Sequence, residues 1–345
     1  MTFKISLQNP PTQFECGPNQ SILEAALSVG VTLSYGCRDG LCGSCKGTVI
    51  EGEVDYPEGA PDGISEVEMA GGDALFCKAV PRSDLSIVAQ VVPTDSIPEV
   101  KKLPVKVKSV DYLTDDVVRL ILQLPAMETL EFQAGQWIYV LLKDGRKRAF
   151  SLANAPTTDG RELELHVRHA PGGVFTDFVF DDLRAGALLR IEGPHGTFFY
   201  QHEQRPLLLV AGGTGFAPLK GIYEQLLREP NRPPVHLFWG VRTASDLYQK
   251  ELVEQWVAEH GLSFTPVLSD PDDGDDWSGE TGFVHEAVLR AYPQMEPLSV
   301  YMAGPPQMVQ ACVESFTEHG LDPNYQHYDS FEYSSDALQS MQVKS

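Results

Sequence analysis

Cys37, Cys42 and Cys45 stand on one loop in C-x4-C-x2-C spacing, and Cys77 stands alone further along the chain. Four thiolates in that arrangement are the ligand set of a [2Fe–2S] cluster: three wrap it from a tight loop, and the fourth closes it from a distant strand. Gly36, Gly40, Gly43 and Gly47 let the backbone curl close enough for N–H groups to point at the sulfurs. A structural zinc site would favour paired C-x2–4-C motifs, and here the fourth ligand has no neighbour in sequence. The other two cysteines, Cys16 and Cys312, have no ligand neighbours and read as small buried hydrophobes.

A second set of residues could meet a nucleotide. Arg148, Phe150 and Ser151 place a cation, an aromatic face and a hydroxyl within four positions. They could meet a phosphate, a ring face and a ring nitrogen. Taken alone the motif is weak, since Phe150 as a core residue and Arg148 as a solvated cation read as well. Downstream, His166, Val167 and Arg168 end a strand that turns on Gly172 and Gly173 into Val174, Phe175 and Thr176. If Asp177 opens a helix, Thr176 and the neighbouring amides make an anion site, a role compatible with a plain N-cap. His195, in a Gly-Pro-His-Gly turn, reads as a turn residue.

A third set follows an apolar strand, Leu207–Val210, which runs into Gly212-Gly213-Thr214-Gly215 and then a helix. A strand, a glycine-rich turn and a helix make a phosphate cradle at the first crossover of an α/β sheet. The turn matches neither G-x-G-x-x-G nor a P-loop. Two further loops follow apolar strands: Gly240-Val241-Arg242-Thr243, where Arg242 could touch a ribose or a 2′-phosphate or be solvated, and Ala303-Gly304-Pro305.

The elements that must position these residues divide the chain of 345 residues. Residues 1–92 hold β-rich stretches at Phe3–Leu7 and Gln13–Cys16 and a helix from Ser21 to Leu27, with Ser21 as cap. Residues 93–102, rich in proline up to Pro104, read as a linker. Residues 103–202 alternate as strands at Val105–Val110, Val117–Leu122, Trp137–Leu142, Leu163–Val167 and Leu188–Glu192, which predicts an antiparallel barrel. Residues 203–332 change to strand–loop–helix units with apolar strands at Pro206–Val210, Val235–Trp239, Phe264–Leu268 and Leu298–Met302, which predicts a helix-covered parallel sheet. Residues 333–345 read as a loose tail.

The net charge of -22 argues against nucleic acid and anionic membranes as partners. The N-terminus shows no signal peptide and no apolar run is long enough for a span, so the expected location is cytoplasmic.

With these motifs in order along the chain, the sequence resembles the ferredoxin–NADP+ reductase superfamily, in the subgroup with an N-terminal plant-type ferredoxin, from the first residues to about Phe331. Reductases of dideoxysugar synthesis and the reductase components of ring-hydroxylating dioxygenases and multicomponent monooxygenases share this layout. The resemblance implies a multidomain α+β and α/β fold: a β-grasp ferredoxin domain, an antiparallel β-barrel FAD domain and a parallel-sheet α/β NAD(P) domain. It implies that Arg148 meets the flavin phosphates, Phe150 packs on the isoalloxazine and Ser151 bonds near N5. It implies that Gly173–Thr176 holds the FAD pyrophosphate, that Gly212–Gly215 holds the nicotinamide dinucleotide, and that Phe331 lies against the flavin. Ser151, Thr214 and Phe331 are thus the residues expected nearest the chemistry. Two residues depart from the family pattern: Phe150 replaces a tyrosine, and Ala303 replaces the cysteine of a Cys-Gly-Pro-Pro turn.

Hydride carries two electrons and a [2Fe–2S] cluster takes one, so a flavin between them is expected to convert one to the other. The expected enzyme passes electrons from NADH, with NADPH permitted by Arg242, through FAD and the cluster to an acceptor protein. That acceptor is expected to be a deoxysugar dehydrase or an oxygenase component. The rival class is a slow-turnover redox sensor, suggested only by Ala303. Glu51, Glu53, Asp55, Glu58, Asp62, Glu66 and Glu68 crowd the segment between the third and fourth cysteines and are expected either to dock the partner or to be a solvated face.

Overall fold

Apolar residues alternate in Phe3–Gln8 (β1) and Pro11–Cys16 (β2), which pair antiparallel and bury Ile5, Leu7, Phe14 and Cys16 on one face. They begin the computed structural model, which describes residues 2–93, 97–271 and 277–331. It divides into two units, the first spanning residues 1–97 with 196–198 and the second the remainder.

The first unit continues through Lys46–Glu51 (β3), Val54–Asp55 (β4), Asp73–Leu75 (β5), Val80–Pro81 (β6) and Leu85–Val88 (β7). Its main sheet runs β2-β1-β7-β3-β5, with β1 and β7 parallel and the other pairs antiparallel. The helix Ile22–Ser28 (α1) starts where expected: Ser21 Oγ accepts the Glu24 amide at 3.2 Å, a cap that contributes about 1 kcal/mol. It buries Ile22, Leu23, Ala25 and Ala26 against Ile5, Phe76 and Ile87, completing the β-grasp layout. A second helix, Glu66–Ala70 (α2), is held by a reciprocal Ser65–Glu68 capping box. The turn 196–198 groups with this unit because the Thr197 hydroxyl accepts the Tyr35 amide at 2.9 Å, and the Thr197 amide donates to Tyr35 O at 3.0 Å.

The second unit opens on an antiparallel sheet of Lys101–Tyr112 (β8), Val117–Gln123 (β9), Trp137–Leu141 (β10), Lys147–Ser151 (β11), Glu162–Arg168 (β12) and Leu188–His195 (β13), in the order β11-β10-β13-β8-β9-β12. Its helix is Val174–Asp181 (α3). Three sequence expectations shift here. Lys101 and Lys102, assigned to the linker, lie in β8, because Leu103 continues the inward alternation of Val105 and Val107. The helix expected to open at Asp177 is α3 and begins at Val174, with Gly173 as its cap. His195 ends β13 as a buried residue whose ring lies tilted 4.7 Å from that of Trp137.

Two terminal strands of this sheet, β11 and β12, are drawn together by Asn154. Its Oδ1 accepts the Glu164 amide at 2.8 Å and its Nδ2 donates to Glu162 O at 3.1 Å, alongside the Ala153 amide bonded to Glu164 O at 2.8 Å. The barrel is thus closed in part by a side-chain amide.

A parallel sheet follows: Leu207–Gly212 (β14), Val235–Val241 (β15), Ser263–Leu268 (β16), Glu280–Thr281 (β17), Ser299–Gly304 (β18) and Gln326–Ser330 (β19), in the order β17-β16-β15-β14-β18-β19. The helices Phe216–Leu226 (α4), Lys250–His260 (α5), Val284–Ala291 (α6) and Pro306–Glu318 (α7) connect it. All six residues of β14 and of β18 are buried, which is why those strands read as largely apolar runs. The strand order reverses between β14 and β18, so the crevice beyond their C-terminal ends is the place such a sheet offers a ligand. Among the described residues, no helix is long and apolar enough to cross a membrane. The expected tail, 333–345, lies outside the described residues.

Candidate functional site

The loop between α1 and β3 brings Cys37, Cys42 and Cys45 together with Cys77, which follows β5. The amides of Asp39 and Cys42 donate to Cys37 Sγ at 3.3 and 3.4 Å, and the Cys37 amide donates to Cys42 Sγ at 3.3 Å. A hydrogen bond from the Cys42 thiol, helped by those amides, pulls the Cys37 thiol down to about 6. The Cys45 thiol lowers Cys77 in the same way. Cys42 acts electrostatically on Cys45 and Cys37 on Cys77, so the two pairs form one group. Gly36 lies close to the sulfurs: a Cβ there would stand 3.0 Å from Cys42 Sγ and 3.1 Å from Ser44 Oγ, so a side chain would crowd them. Four converging sulfurs under a cage of amides fit a [2Fe–2S] cluster.

The other site lies in the second unit, where β11 carries half-buried Arg148, Phe150 and Ser151. Arg148 Nη1 donates to Lys147 O at 2.9 Å. The Phe150 ring packs 5.2 Å from Phe175 of α3, which sets this strand beside the Gly173–Thr176 turn. Thr176 is not the helix cap; its hydroxyl is spent on Ala170 O at 2.9 Å and Gly173 O at 3.1 Å, which fixes the turn. Gly173 offers no capping side chain to the start of α3, and Val174 is exposed. Val167 lies in the barrel core. The buried His166 ring is occupied by Tyr248 Oη at 3.0 Å and Glu164 Oε1 at 2.9 Å. Arg168 reaches Asp116 at 3.3 Å and Asp246 at 3.4 Å, and its guanidinium lies 3.7 Å from where a Cβ on Gly213 would be. The end of β12 and the Gly212–Gly215 turn are therefore neighbours.

Gly213-Thr214-Gly215 forms a single 3-10 turn after β14. A Cβ on Gly215 would stand 1.9 Å from Ala303 O, so only glycine lets this turn pass the end of β18. Ala303 is fully buried. Gly304 and Pro305 lead from β18 into α7 on the other side of the same crevice, and the Phe331 amide donates to Gly304 O at 2.8 Å. Turns with no room for side chains, facing a helix start, suit a dinucleotide backbone. Arg242 is set apart, 76% exposed, with its guanidinium 3.1 Å from Asp270.

Sequence reasoning missed Asp329. It is buried at the end of β19, and Ser151 Oγ donates to its carboxylate at 3.0 Å. The available signal was an acid in a buried strand two positions before Phe331. It also missed Lys220, a lone cation in an otherwise apolar helix start.

The acidic segment is only partly free. Asp55 pairs with Arg82, Glu58 with Lys78 at 3.1 Å and Glu68 with Lys46 at 2.8 Å. Glu51, Glu53, Asp62 and Glu66 are exposed and have no ion-pair partner among the described residues.

Three family models match consecutive parts of the chain: a 2Fe-2S iron-sulfur cluster binding domain over residues 5–82, an oxidoreductase FAD-binding domain over 104–200 and an oxidoreductase NAD-binding domain over 209–314. The chain is 36% identical to the CDP-6-deoxy-L-threo-D-glycero-4-hexulose-3-dehydrase reductase of Yersinia pestis, over 96% of this chain and 99% of the relative. It is 37% identical to the reductase subunit of an Amycolatopsis aromatic O-demethylase, over 96% and 99%. The crystal structure of an Amycolatopsis cytochrome P450 reductase superposes with a TM-score of 0.73 at 38% identity, covering 96% of this chain and 99% of that one. With these three domain matches on one chain in this order, the protein belongs to the ferredoxin-reductase-type oxidoreductases, which join a [2Fe–2S] domain to FAD- and NAD-binding domains and transfer electrons to a partner protein.

Proposed function

We propose that the chain takes electrons from NADH and delivers them singly to a CDP-deoxysugar dehydrase. Cys37, Cys42, Cys45 and Cys77 would hold the cluster. Arg148, Phe150, Ser151, the strand His166–Arg168 and the turn Gly173–Thr176 would hold FAD. Gly212–Gly215, Gly304 and Pro305 would hold the nicotinamide dinucleotide. The observation that supports this reading is the hydrogen bond from Ser151 on β11 to Asp329 on β19, which joins the strand proposed for the flavin to the sheet whose reversal point would take the dinucleotide.

When bound, FAD and the cluster supply the conversion of a two-electron donor into single electrons. The chain binds and orients. Asp329 accepts a hydrogen bond from the Ser151 hydroxyl and fixes it, which would leave the oxygen lone pairs for a donor on the flavin edge. Phe331, whose amide is bonded to Gly304 O, would shield that edge from water. Asp270 already occupies Arg242 and would repel a 2′-phosphate, which supports NADH over NADPH.

The dehydrase acceptor follows the Yersinia relative, matched over nearly its whole length. The O-demethylase reductase, matched equally, supports an oxygenase acceptor as the second reading. The test is an anaerobic NADH titration followed by visible absorbance and EPR. Uptake of roughly three electrons, with a reduced [2Fe–2S] signal, is expected. Bleaching of flavin alone would remove the relay, and negligible turnover with cytochrome c would favour a sensor.

Partner recognition would use the four unpaired acids. Reduction of a basic partner is expected to slow roughly tenfold as salt rises from low to above physiological levels, because exposed charges are screened beyond about 8 Å. A chain carrying E51Q, E53Q, D62N and E66Q should be slower at low salt and nearly flat with ionic strength. An unchanged slope would reduce the segment to a solvated face.

A further inference from the structure

Helix α4 opens directly from the glycine turn, and Lys220 sits in it at 4% exposure. A lysine that deep needs partners for all its donors. Its Nζ reaches Ala153 O at 2.9 Å, Glu164 Oε2 at 3.2 Å and Glu224 Oε1 at 2.7 Å. Glu224 Oε2 accepts the Ala155 amide at 3.1 Å. The second oxygen of Glu164 meets the His166 ring, which in turn meets Tyr248. Burial works to raise the Glu164 carboxyl, but the His166 hydrogen bond and the Lys220 charge outweigh it and hold it down to about 2.

The backbone beside this cluster is equally tight. A Cβ on Gly221 would stand 3.1 Å from Asn154 O and 3.2 Å from Leu152 O. The helix therefore lies directly on residues 152–155, which continue the flavin strand past Ser151. That stretch cannot slide, since the Leu152 amide is bonded to Gln136 O and the Ala153 amide to Glu164 O, each at 2.8 Å.

We propose that Lys220 is a positioning residue: with Glu164 and Glu224 it locks α4 to residues 152–155, and so fixes the nicotinamide turn against the flavin strand. This rests on the assignment of those two segments given above. Lys220 itself needs no contact with either cofactor. Its part is to hold the two chain segments at one separation, where a misplacement on the order of 1 Å costs about 100-fold in rate.

The test uses the holoprotein with Lys220→Met, Lys220→Arg, Glu224→Gln and Gly221→Ala. Anaerobic stopped-flow gives the limiting rate of flavin reduction and the half-saturating NADH concentration. The change in flavin absorbance on adding NAD+ reports the stacking geometry without turnover, and FAD content and thermal melting are measured in parallel. K220M is expected to lower the limiting rate roughly 10- to 100-fold, with half-saturation little changed, FAD content full and the NAD+-induced spectral change diminished. K220R should recover part of both signals. A wild-type limiting rate and spectrum in K220M, or a loss that only tracks missing FAD or melted protein, overturns the role. If K220M does not fold, E224Q and G221A decide, because one weakens and the other wedges apart the same contact: unchanged rates and spectra in both also overturn it. A wild-type protein that NADH cannot reduce would instead overturn the functional reading beneath.

Discussion

Replacing Cys77 with alanine is expected to abolish delivery of single electrons to cytochrome c or the partner while NADH still reduces the flavin. Cys77 is the one thiol of the four outside the wrapping loop, and Gly40 and Lys78 help hold it toward the thiolate after the Cys45 thiol has done most of that work. Removing it leaves a cluster three ligands and no closure. The residues proposed for FAD and NADH stand on or beside β11, β12, α3, β14 and β18, whose apolar cores contain none of these cysteines. The two functions should therefore separate cleanly. Iron analysis and EPR of the reduced variant check the cluster, and flavin bleaching by NADH checks the rest. A reduced [2Fe–2S] signal of wild-type intensity in Cys77→Ala would show that Cys77 is not a ligand.

The second large effect is expected at Gly215. A methyl group there meets Ala303 O at 1.9 Å, Ala303 C at 2.3 Å and Gly304 N at 2.7 Å. These are backbone atoms of a buried strand, so no side chain can swing aside. The glycine turn and the end of β18 must part, opening the crevice at the point where the nicotinamide is proposed to sit. Gly215→Ala is expected to cost about 3 kcal/mol, the upper end for overpacking. Its melting transition should fall by roughly 10 °C, with loss of NADH-driven flavin bleaching. Gly145→Ala is the control. Gly145 has φ +88° but nothing within reach of a Cβ, so it should cost only about 1 kcal/mol of backbone strain. Equal melting shifts in the two variants would mean that the contact at Ala303 does not govern.

Both positions could be singled out from sequence, but for different reasons. Three of the four thiols proposed as cluster ligands bunch on one loop, so their spacing points to the chemistry and calls for a fourth cysteine, which Cys77 supplies. The glycine turn was legible because it follows an unbroken apolar strand. The barrel strands were legible from alternation, and the error at Lys101 came from giving Pro104 more weight than Leu103. What sequence could not show was pairing across distance. Ser151 and Asp329 are 178 positions apart and Lys220 and Glu164 56 apart. Such partners are chosen by how the barrel and the parallel sheet are laid together, and no local pattern encodes that. For the same reason the acidic segment read as uniform. Arg82 and Lys78 lie beyond it in sequence, yet they neutralise two of its members.

The stretch 152–155 follows β11, closes the barrel through Asn154 and serves as the bed for α4. A residue with three employers has little freedom to drift. In a saturation scan, Leu152 through Ala155 and the facing Gly221 should accept fewer replacements than the cores on either side, where one large apolar residue can stand for another. Neighbouring strands can then diversify while this short seam stays nearly fixed, and a chimaera that exchanges NAD-binding halves between relatives would succeed or fail chiefly on whether the two parents agree there.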